Sequence, residues 1–333
     1  MPLTLADIAA AKALQLEAAH DIGQAVRLVA GPGTGKSASV EERFRWLLDD
    51  QAADPRSVFG VSFTRASAND LRIRVGKYLE DNGVAVGPGD LRVSTLHSLA
   101  LQLLVRASLL GTYPVRPRVL DDWEVENVFD AEFRSTTGRS KGRCEDIRKE
   151  HEAIWNTGVP VPPGYIAPDP PITAEERAAF LAFHGLTTQS YAAVLPGEIV
   201  RLCVERIESG LLVLRDVADM AFLIVDEYQD LNPLDIKFVD QLHDDGVAIF
   251  AAGDDDQSIY SFRFASPGGI QDFLNRHPLA GDHILEGCFR CASDIVDAAD
   301  DLIQHFSPAT RIPKTLESLW GTAIPPESGE VFR

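Results

Sequence analysis

A glycine-rich turn between a short apolar run and a helix restricts the fold of this chain more than any other feature. Residues 26–37 read VRLVAGPGTGKS. Glycine lets a backbone turn its N–H groups inward around phosphate oxygens, and the N-terminus of the next helix adds further donors. The string fits the P-loop pattern, with Ala30 at the first glycine position of the simplest form. It predicts that Lys36 contacts the outer phosphates and that the Ser37 hydroxyl binds Mg²⁺. The residues predicted to enclose the phosphates are Gly31, Gly33, Thr34, Gly35, Lys36 and Ser37.

A second string, LIVDEYQD at residues 223–230, ends an apolar run with two adjacent carboxylates. Such a run is typical of a buried parallel strand whose C-terminal end opens into a site. In nucleotide hydrolases the first acid at this place holds Mg²⁺ and the second activates water. Taken alone, the string is more typical of a buried strand that ends in a solvated aspartate. Together with Lys36 and Ser37, however, Asp226 and Glu227 indicate a nucleoside triphosphatase.

Length and composition suggest an ordinary globular protein of two or three compact units. The chain has 333 residues, of which 45% are hydrophobic, enough for a sizeable core. No apolar stretch is long enough to span a bilayer, and the first residues lack the basic and apolar regions of a signal peptide. We therefore expect a cytoplasmic protein without membrane contact. Four cysteines in this length do not suggest a disulfide framework.

The net charge is −19, from 31 basic and 50 acidic residues. This acidity argues against tight, nonspecific DNA binding, since phosphate binding needs lysine and arginine. Total charge does not decide a local groove, however. Two segments are rich in basic residues, and each is as compatible with a solvated helix face as with a DNA contact. They contain Arg65, Arg72, Arg74 and Lys77, and Arg139, Lys141, Arg143, Arg148 and Lys149.

Apolar runs and helical patterns alternate at both ends of the chain, which is typical of an α/β fold with a parallel sheet. After the strand before the glycine turn, strands are predicted at residues 57–63, 91–95, 221–225 and 247–252. A first helix is predicted over residues 4–20. Its apolar positions are Leu5, Ile8, Leu14 and Leu16. From about residue 111 to 196 the pattern is helical and interrupted by prolines, and we interpret this region as a helical insertion into the α/β domain.

A third string, GDDDQSIYSFRFA at residues 253–265, follows the last predicted strand. The Gln257 amide is suited to sensing a terminal phosphate. Tyr260, Phe262 and Arg263 alternate in a way that suits stacking on bases and contact with backbone phosphate. The alternative is an ordinary loop packed by its own aromatic residues.

These strings, in this order, resemble the superfamily 1 DNA helicases of the UvrD/PcrA/Rep type. Further strings agree with the resemblance. SFTRA at residues 62–66 resembles motif Ia, STLHS at 94–98 resembles the next DNA-contacting motif, and LEGCFRC at 285–291 resembles motif IV. Leu14-Gln15 is similar to the Q motif. The resemblance covers nearly the whole chain and implies a RecA-like domain.

The resemblance implies a role for each matching residue. Gln15 would hydrogen-bond the adenine edge, and Phe289 would pack near the base. Gln257 and Arg290 would contact the γ-phosphate, with Arg290 stabilising charge in the transition state. The two carboxylates of the second string would hold Mg²⁺ and deprotonate the attacking water. The residues implied to line the path of single-stranded DNA are Phe63, Thr64, Arg65, His97, Tyr260, Phe262 and Arg263.

Helicases of this type have two RecA-like domains with ATP between them. The resemblance therefore implies a domain 1A at residues 1–110 and 200–282, a helical insertion 1B at 111–199, and the incomplete beginning of domain 2A at 283–333. Motifs V and VI, which carry a further arginine for the γ-phosphate, have no match after Arg290. We expect the amino-terminal half of a motor, completed by the rest of a longer chain or by a protein partner.

Four positions depart from the family pattern. Ala38 stands where many relatives carry an arginine that packs on the adenine, which predicts a weaker grip on the base. Phe262 replaces a tryptophan and offers a smaller stacking face. Cys288 and Cys291 replace the asparagine and serine of motif IV. One Cys-x-x-Cys without a second ligand pair is weak evidence for a redox or metal site, so we interpret both cysteines as packing residues.

The activity implied for the parent protein is ATP-driven movement on single-stranded DNA and duplex unwinding at a single-strand/double-strand junction. Its cofactors would be ATP and Mg²⁺, its ATPase would be stimulated by single-stranded DNA, and its direction would be 3′ to 5′. The alternative is a helicase-like nucleotide- or DNA-binding regulatory module, or half of a split motor, without unwinding activity. A small-molecule kinase is disfavoured because it has no use for the third string. The pathway served, whether repair, replication, recombination or defence, is left open.

Overall fold

The computed structural model describes residues 5–87, 89–111, 113, 117–162, 165–260, 264–303, 305–306 and 311–320. The strands are β1 (Ala25–Ala30), β2 (Val58–Ser62), β3 (Arg92–Thr95), β4 (Arg118–Val119), β5 (Ala193–Val194), β6 (Phe222–Val225), β7 (Ala248–Gly253), β8 (Gly281–Leu285), β9 (Gly287–Cys288) and β10 (Glu317–Ser318). The α-helices are α1 (Leu5–Ala19), α2 (Lys36–Arg45), α3 (Arg65–Asp81), α4 (Leu96–Arg106), α5 (Asp122–Glu124), α6 (Asp130–Thr137), α7 (Lys141–Thr157), α8 (Ala174–Tyr191), α9 (Glu198–Glu208), α10 (Leu214–Val217), α11 (Pro233–Asp244), α12 (Gly268–Gln271), α13 (Phe273–Arg276) and α14 (Ser293–Ile303).

Six strands form one parallel sheet in the order β3-β2-β6-β7-β1-β8. Strand β7 lies between β6 and β1 and pairs with both, so that Ala252 is opposite Leu28 and Ala251 is opposite Val225. Because all six strands run in the same direction, their carboxyl ends meet at a single edge of the sheet. The predicted α/β fold of the RecA-like type is confirmed. The strings that follow β1, β6 and β7 all begin at that edge.

Helices cover both faces of the sheet, which is why its inner strands are apolar along their whole length. Every residue of β1, β2 and β7 is buried. On one face Leu28 belongs to a cluster with Phe44 of α2 and Leu71 of α3. On the other face Val29 belongs to a cluster with Leu99 of α4. Neighbouring residues of β1 thus point to opposite helical layers, and both layers hold the strand ends in place.

The segment between α4 and β6 contains a helical body with an apolar cluster of its own. Phe129, Phe133, Phe180 and Phe183 pack ring against ring, with centroid distances between 5.1 and 6.0 Å. This body lies where the helical insertion is predicted, but the limits of the three domains stay a prediction. Strand β8 is hydrogen-bonded to β1 and spans the predicted boundary between residues 282 and 283.

Helix α1 is present where it was predicted, but most of its large apolar side chains are exposed. The expected apolar positions Leu5, Leu14 and Leu16 are 78%, 47% and 48% exposed, whereas Ala18 is fully buried and Ile8 is 8% exposed. Of the four apolar positions, Ile8 is therefore the buried one, and small residues at the end of α1 complete the contact with the protein. None of the described helices has the length and apolar composition needed to cross a bilayer.

Candidate nucleotide site

The glycine-rich turn joins β1 to α2 as predicted. Gly33 has a φ of 75°, and Gly35, just before the first residue of α2, has a φ of 99°, both in the left-handed region that favours glycine. Thr34 makes two hydrogen bonds inside the turn. Its backbone N–H and its hydroxyl donate to the carbonyl oxygen of Gly31, at 3.2 and 2.8 Å. The buried Thr34 side chain therefore shapes the turn.

Neighbouring side chains occupy the space beside these glycines. A Cβ atom at Gly33 would lie 2.5 Å from Cβ of Arg290, and one at Gly35 would lie 2.1 Å from Nε2 of Gln15. Gln15 donates from Nε2 to the carbonyl oxygen of Thr34 at 2.8 Å. The structure thus places Gln15 against the turn, while its contact with adenine stays a prediction.

The Lys36 amine lies between the two carboxylates that follow β6. It donates a short hydrogen bond to Oε2 of Glu227, and Nζ is 3.3 Å from Oδ1 of Asp226. Burial lowers the pKa of Lys36, but the charges of Asp226 and Glu227 outweigh it and the net pKa is raised. Burial raises the pKa of Glu227, but the charge and hydrogen bond of Lys36 outweigh it and the net pKa is lowered. The amine and the Glu227 carboxylate are therefore both charged near neutral pH.

Gln229 connects this ion pair to the end of β7. Its side-chain Nε2 donates to Oε2 of Glu227 at 2.8 Å, and its Oε1 accepts from the backbone N–H of Asp254 at 3.0 Å. The residue is 2% exposed. The Gln229 amide therefore links Glu227, the candidate base, to the residue that follows β7. The sequence places Gln229 in the second string but does not reveal these two partners.

Two residues implied to contact the γ-phosphate lie at the same edge. Gln257, which is exposed, donates from Nε2 to Oδ2 of Asp254 at 2.6 Å. The side chain of Arg290 is exposed, and the backbone N–H of the preceding Phe289 donates to the carbonyl oxygen of Gly33 at 2.9 Å. The structure thus brings both residues to the glycine turn or to the end of β7. Their contacts with nucleotide stay predictions.

The two cysteines of the fourth string lie beside the glycine turn. Cys288 is buried, and its Sγ would be 3.0 Å from a Cβ atom at Gly33. Burial and the neighbouring Cys288 thiol raise the pKa of Cys291. A raised pKa disfavours the thiolate, which is the form that binds metals and reacts with oxidants. These findings support the interpretation of both as packing residues.

Two aromatic residues implied to line a DNA path are in contact. Phe63 follows β2 and Tyr260 follows β7, and their ring centroids are 4.9 Å apart with an angle of 43° between the planes. Arg65, the first residue of α3, is exposed. Phe262 and Arg263 lie outside the described residues. The structure therefore brings two rings from strings far apart in sequence into a tilted contact at this edge.

Two other residues of the implied DNA path have structural partners. Thr64 is the N-cap of α3, and its Oγ1 accepts a 3.0 Å hydrogen bond from the backbone N–H of Ser67. His97 is half-buried, and its Nε2 accepts a 3.1 Å hydrogen bond from the backbone N–H of Gly197. The bond to Gly197 ties α4 to the start of α9. Any DNA contact of His97 has to coexist with that bond.

Comparison with known proteins agrees with this geometry. A protein family described as an AAA domain matches residues 13–263 of the 333 residues. The chain belongs to this AAA domain family.

Curated relatives of the AAA domain chain are helicases. DNA helicase II of Salmonella typhimurium is 28% identical over 293 residues, which cover 84% of this chain and 38% of the relative. ATP-dependent DNA helicase PcrA of Leuconostoc citreum is 26% identical over 317 residues, covering 91% and 40%. ATP-dependent DNA helicase SRS2 of Saccharomyces cerevisiae is 23% identical over 333 residues, covering 93% and 28%. The resemblance to UvrD-like helicases is thereby confirmed, and the chain spans less than half of the length of each of these relatives.

In this AAA domain, α3 contributes Arg74, which was predicted only as one member of a basic segment. Arg74 donates from Nη1 to Glu41 at 2.7 Å and from Nε to Asp70 at 2.8 Å, and its Nη2 is 3.8 Å from Oδ2 of Asp226. Arg74 therefore lies beside Asp226 at the candidate site, and its ion pairs with acids of the protein show that it is not part of a free basic face. The second basic segment is largely paired within the protein: Arg139 and Arg143 with Glu176, Arg148 with Asp130 and Glu152, and Lys149 with Glu145.

The AAA domain offers oxygen donors of the kind that Mg²⁺ prefers. Ser37 lies in the first turn of α2, and Asp226, which is 5% exposed, follows β6. Asp230 adds a buried carboxyl group whose Oδ1 has no hydrogen-bond partner among the described residues. Burial and the charge of Glu227 raise the pKa of Asp230 to about 7. These residues fit a bound Mg²⁺, and Ser37 and Asp226 are the ones that would hold it.

Proposed function

We propose that this chain is the ATP-binding part of an ATP-dependent DNA helicase or translocase, and that its site hydrolyses ATP with Mg²⁺. The observation that supports this most strongly is the position of the Lys36 amine between Asp226 and Glu227, at the end of a glycine turn. A cation for the outer phosphates, a metal-binding carboxylate and a base then belong to one network. The relatives named ATP-dependent DNA helicases agree with the proposal.

ATP binding requires Lys36 to exchange carboxylate oxygens for phosphate oxygens. Mg²⁺ bound with the nucleotide would neutralise part of the phosphate charge. Once Lys36 contacts phosphate, its hold on Glu227 weakens, so the pKa of Glu227 rises and the carboxylate becomes a stronger base. Gln229 remains as a hydrogen-bond donor that orients Glu227.

In the proposed hydrolysis, the groups at the sheet edge supply the base and part of the charge stabilisation. Glu227 orients a water molecule and accepts its proton as the water oxygen attacks the terminal phosphorus. The bond from that phosphorus to the oxygen of ADP breaks, which yields ADP and inorganic phosphate. Gln257 and Arg290 stabilise the negative charge on the transferred phosphoryl group.

Single-stranded DNA is proposed to cross the same edge beside the pair of Phe63 and Tyr260. Base stacking on aromatic rings is tolerant of sequence and suits a motor that moves along a strand. Because the net charge is −19, DNA binding has to depend on this local surface. We propose that DNA stimulates the ATPase, that movement is 3′ to 5′ toward a single-strand/double-strand junction, and that the protein works in the cytoplasm.

Movement requires a second domain that closes on ATP. The chain covers 38% and 40% of two of its relatives, and we propose that further sequence or a protein partner supplies motifs V and VI. An arginine from such a motif contributes roughly 10³–10⁵-fold to turnover in related phosphoryl-transfer sites. The chain alone is therefore expected to bind Mg-ATP weakly and to hydrolyse it very slowly.

An ATPase assay with and without single-stranded DNA tests the proposal, on this chain and on a form that includes the second domain. Glu227→Gln should retain ATP binding and abolish turnover, because an amide does not accept the proton. Glu145→Gln, in a surface ion pair with Lys149, is the matched control and should leave turnover unchanged.

Three results would overturn parts of the proposal. Preserved turnover in Glu227→Gln would show that Glu227 is not the base. DNA-stimulated turnover by this chain alone, at the rate of a complete helicase, would refute the half-motor. Binding of nucleotide or DNA without turnover in the completed protein would instead support a regulatory module.

A further inference from the structure

Three consecutive aspartates follow β7, and one lysine is buried among them. Nζ of Lys314 is 2.8 Å from Oδ1 of Asp254, 2.8 Å from Oδ1 of Asp255 and 2.6 Å from Oδ2 of Asp256. The Lys314 side chain is only 3% exposed. Carboxylate oxygens of the three aspartates lie within 4.8 Å of one another, a spacing that suits a shared cation. In this protein the ammonium group is that cation.

Lys314 belongs to residues 311–319, which we name the docking segment. The backbone N–H of Ile312 donates to Oδ2 of Asp255 at 2.7 Å, and its side chain is buried in the main core. Leu316 lies against the glycine turn, since a Cβ atom at Gly31 would be 2.5 Å from Cδ2 of Leu316. Strand β10 pairs with β9, just before Phe289. The docking segment thus contacts both the glycine turn and the end of β7.

Asp254 connects Lys314 through hydrogen bonds to groups that are proposed to act on ATP. The other oxygen of its carboxylate, Oδ2, accepts from Nε2 of Gln257 at 2.6 Å. Its backbone N–H donates to Oε1 of Gln229, which in turn donates to Glu227. Asp254 has no exposed surface. Lys314 is therefore one residue removed from Gln257 and two from Glu227.

We propose that Lys314 is a positioning residue of the ATP site, which holds Asp254 and thereby places Gln257 and, through Gln229, Glu227. The inference rests on the proposed hydrolysis of ATP at this site. Without the ammonium group, Asp254 would be a stronger acceptor for the Gln257 amide and would hold it away from phosphate. The three neighbouring carboxylates would also repel a triphosphate. Docking of residues 311–319 then sets the rate of hydrolysis.

Arg311 provides a matched control on the same segment. Its Nε and Nη2 donate to Oδ1 and Oδ2 of Asp256, at 2.6 and 2.8 Å. Among the described residues, Asp256 is its ion-pair partner, and it makes no contact of this kind with Asp254. Arg311→Met and Lys314→Met each remove one positive charge from the docking segment, but only the second releases Asp254.

The experiment compares the wild type, Lys314→Met and Arg311→Met, each as the 333-residue chain and in a form that includes the second domain. The release of labelled phosphate gives kcat and KM for Mg-ATP, titration with fluorescent ADP gives a Kd, and thermal melting reports folding. We expect kcat to fall roughly 10- to 100-fold in Lys314→Met and less than about threefold in Arg311→Met. The Kd for ADP should be equal in the two variants, because ADP lacks the phosphate that Gln257 and Glu227 face.

Equal losses of kcat in the two variants would overturn the inference, as would a loss of ADP affinity as large as the loss of kcat. If Lys314→Met does not fold, Asp254→Asn replaces it. That variant keeps the side-chain size, and a kcat near the wild-type value would again refute the positioning role. A wild-type protein that includes the second domain and still hydrolyses no ATP would overturn the proposed function itself. An active wild-type chain with unaffected variants would overturn only the role of Lys314.

Discussion

Replacing Gln229 tests the link between β6 and β7, because its two amide atoms have separate partners. Nε2 donates to Oε2 of Glu227 at 2.8 Å, and Oε1 accepts from the backbone N–H of Asp254 at 3.0 Å. Gln229→Glu keeps an acceptor for Asp254 but puts a second carboxylate against Glu227. Gln229→Met keeps the length of the side chain and removes both hydrogen bonds. The pair of variants therefore separates positioning of the base from support of the strand.

The loss of stability in Gln229→Met comes mainly from Asp254. This residue has no exposed surface, so a backbone N–H left without an acceptor costs about 1–3 kcal/mol in the free energy of unfolding. The lost bond to Glu227 counts for less, because the Glu227 side chain is 34% exposed and water replaces the amide. We expect a total loss of about 2 kcal/mol, which lowers the melting temperature by on the order of 5 °C.

In Gln229→Glu, two carboxylates face each other and share a proton, which raises their pKa above that in the unfolded chain. The stability that the shared proton contributes is complete below the unfolded pKa of about 4.3 and is lost as pH rises through the folded pKa. A proton shared with Glu227 also removes the base. Because general bases contribute about 10²–10⁴-fold, we expect kcat at neutral pH to fall at least about tenfold.

Rates of ATP hydrolysis and thermal melts, measured from about pH 6 to 8, distinguish the two effects. Gln241→Met in α11 is the control, since Oε1 of Gln241 has no hydrogen-bond partner among the described residues and its loss should not change kcat. If Gln229→Glu hydrolyses ATP at the wild-type rate, Gln229 does not position Glu227. Its amide then serves only the packing of β7.

Two further predictions follow from the same edge of the sheet. Gly33→Ala should weaken nucleotide binding and lower the melting temperature, because a φ of 75° costs a residue with a Cβ about 1–2 kcal/mol and the new atom would lie 2.5 Å from Cβ of Arg290. Gly185→Ala in α8 is the control: a Cβ atom there would have no heavy atom within 4 Å outside its own turn of helix, so the melting temperature should rise slightly. Wild-type nucleotide affinity in Gly33→Ala would contradict the role of the glycine turn. Asp230→Asn should flatten the dependence of the melting temperature on pH between about 4 and 7, since the folded pKa of about 7 lies above the ordinary aspartate value of 3.8. The contribution of Asp230 is complete below the lower value and is lost as pH rises to the higher one, so an unchanged slope would show that Asp230 does not titrate in this range.

The ends of β1 and β6 were predictable because their signals are local. In each case a few apolar residues lead directly into residues that need a partner or water when buried, such as Lys36 and Asp226. The order of the strands is not a local property. Strand β7 is formed after β1 and β6 along the chain but lies between them, because the helices on both faces decide which strands become neighbours. The contact between Gln229 and Asp254 depends on that strand order and could therefore not be predicted from the sequence.

The role of Lys314 was hidden for a different reason. A lysine in a polar segment is normally exposed, and three aspartates in a row normally form a solvated turn. Lys314 is 59 residues from Asp255 along the chain, and the sequence around neither residue indicates a contact with the other. Leu14 and Leu16 show the converse case, in which apolar residues of a correctly predicted helix remain exposed. In both cases the outcome depends on which surfaces the completed fold brings together.

This strongly acidic protein is proposed to bind an anionic nucleotide. The negative charges of the carboxylates near the site therefore have to be neutralised before the nucleotide binds. At this edge Arg74 lies beside Asp226 on one side of the site, and Lys314 lies beside Asp254 on the other. Lys314 is 3% exposed and is held by three carboxylates, so it is not free to move to a ligand. Lys36 is held partly by Glu227, whose side chain is a third exposed, so water and phosphate can reach that pair. Lys314 therefore neutralises acids that stay in place, whereas Lys36 is the cation that exchanges its partner in the proposed mechanism, and that exchange would free Glu227 when ATP binds.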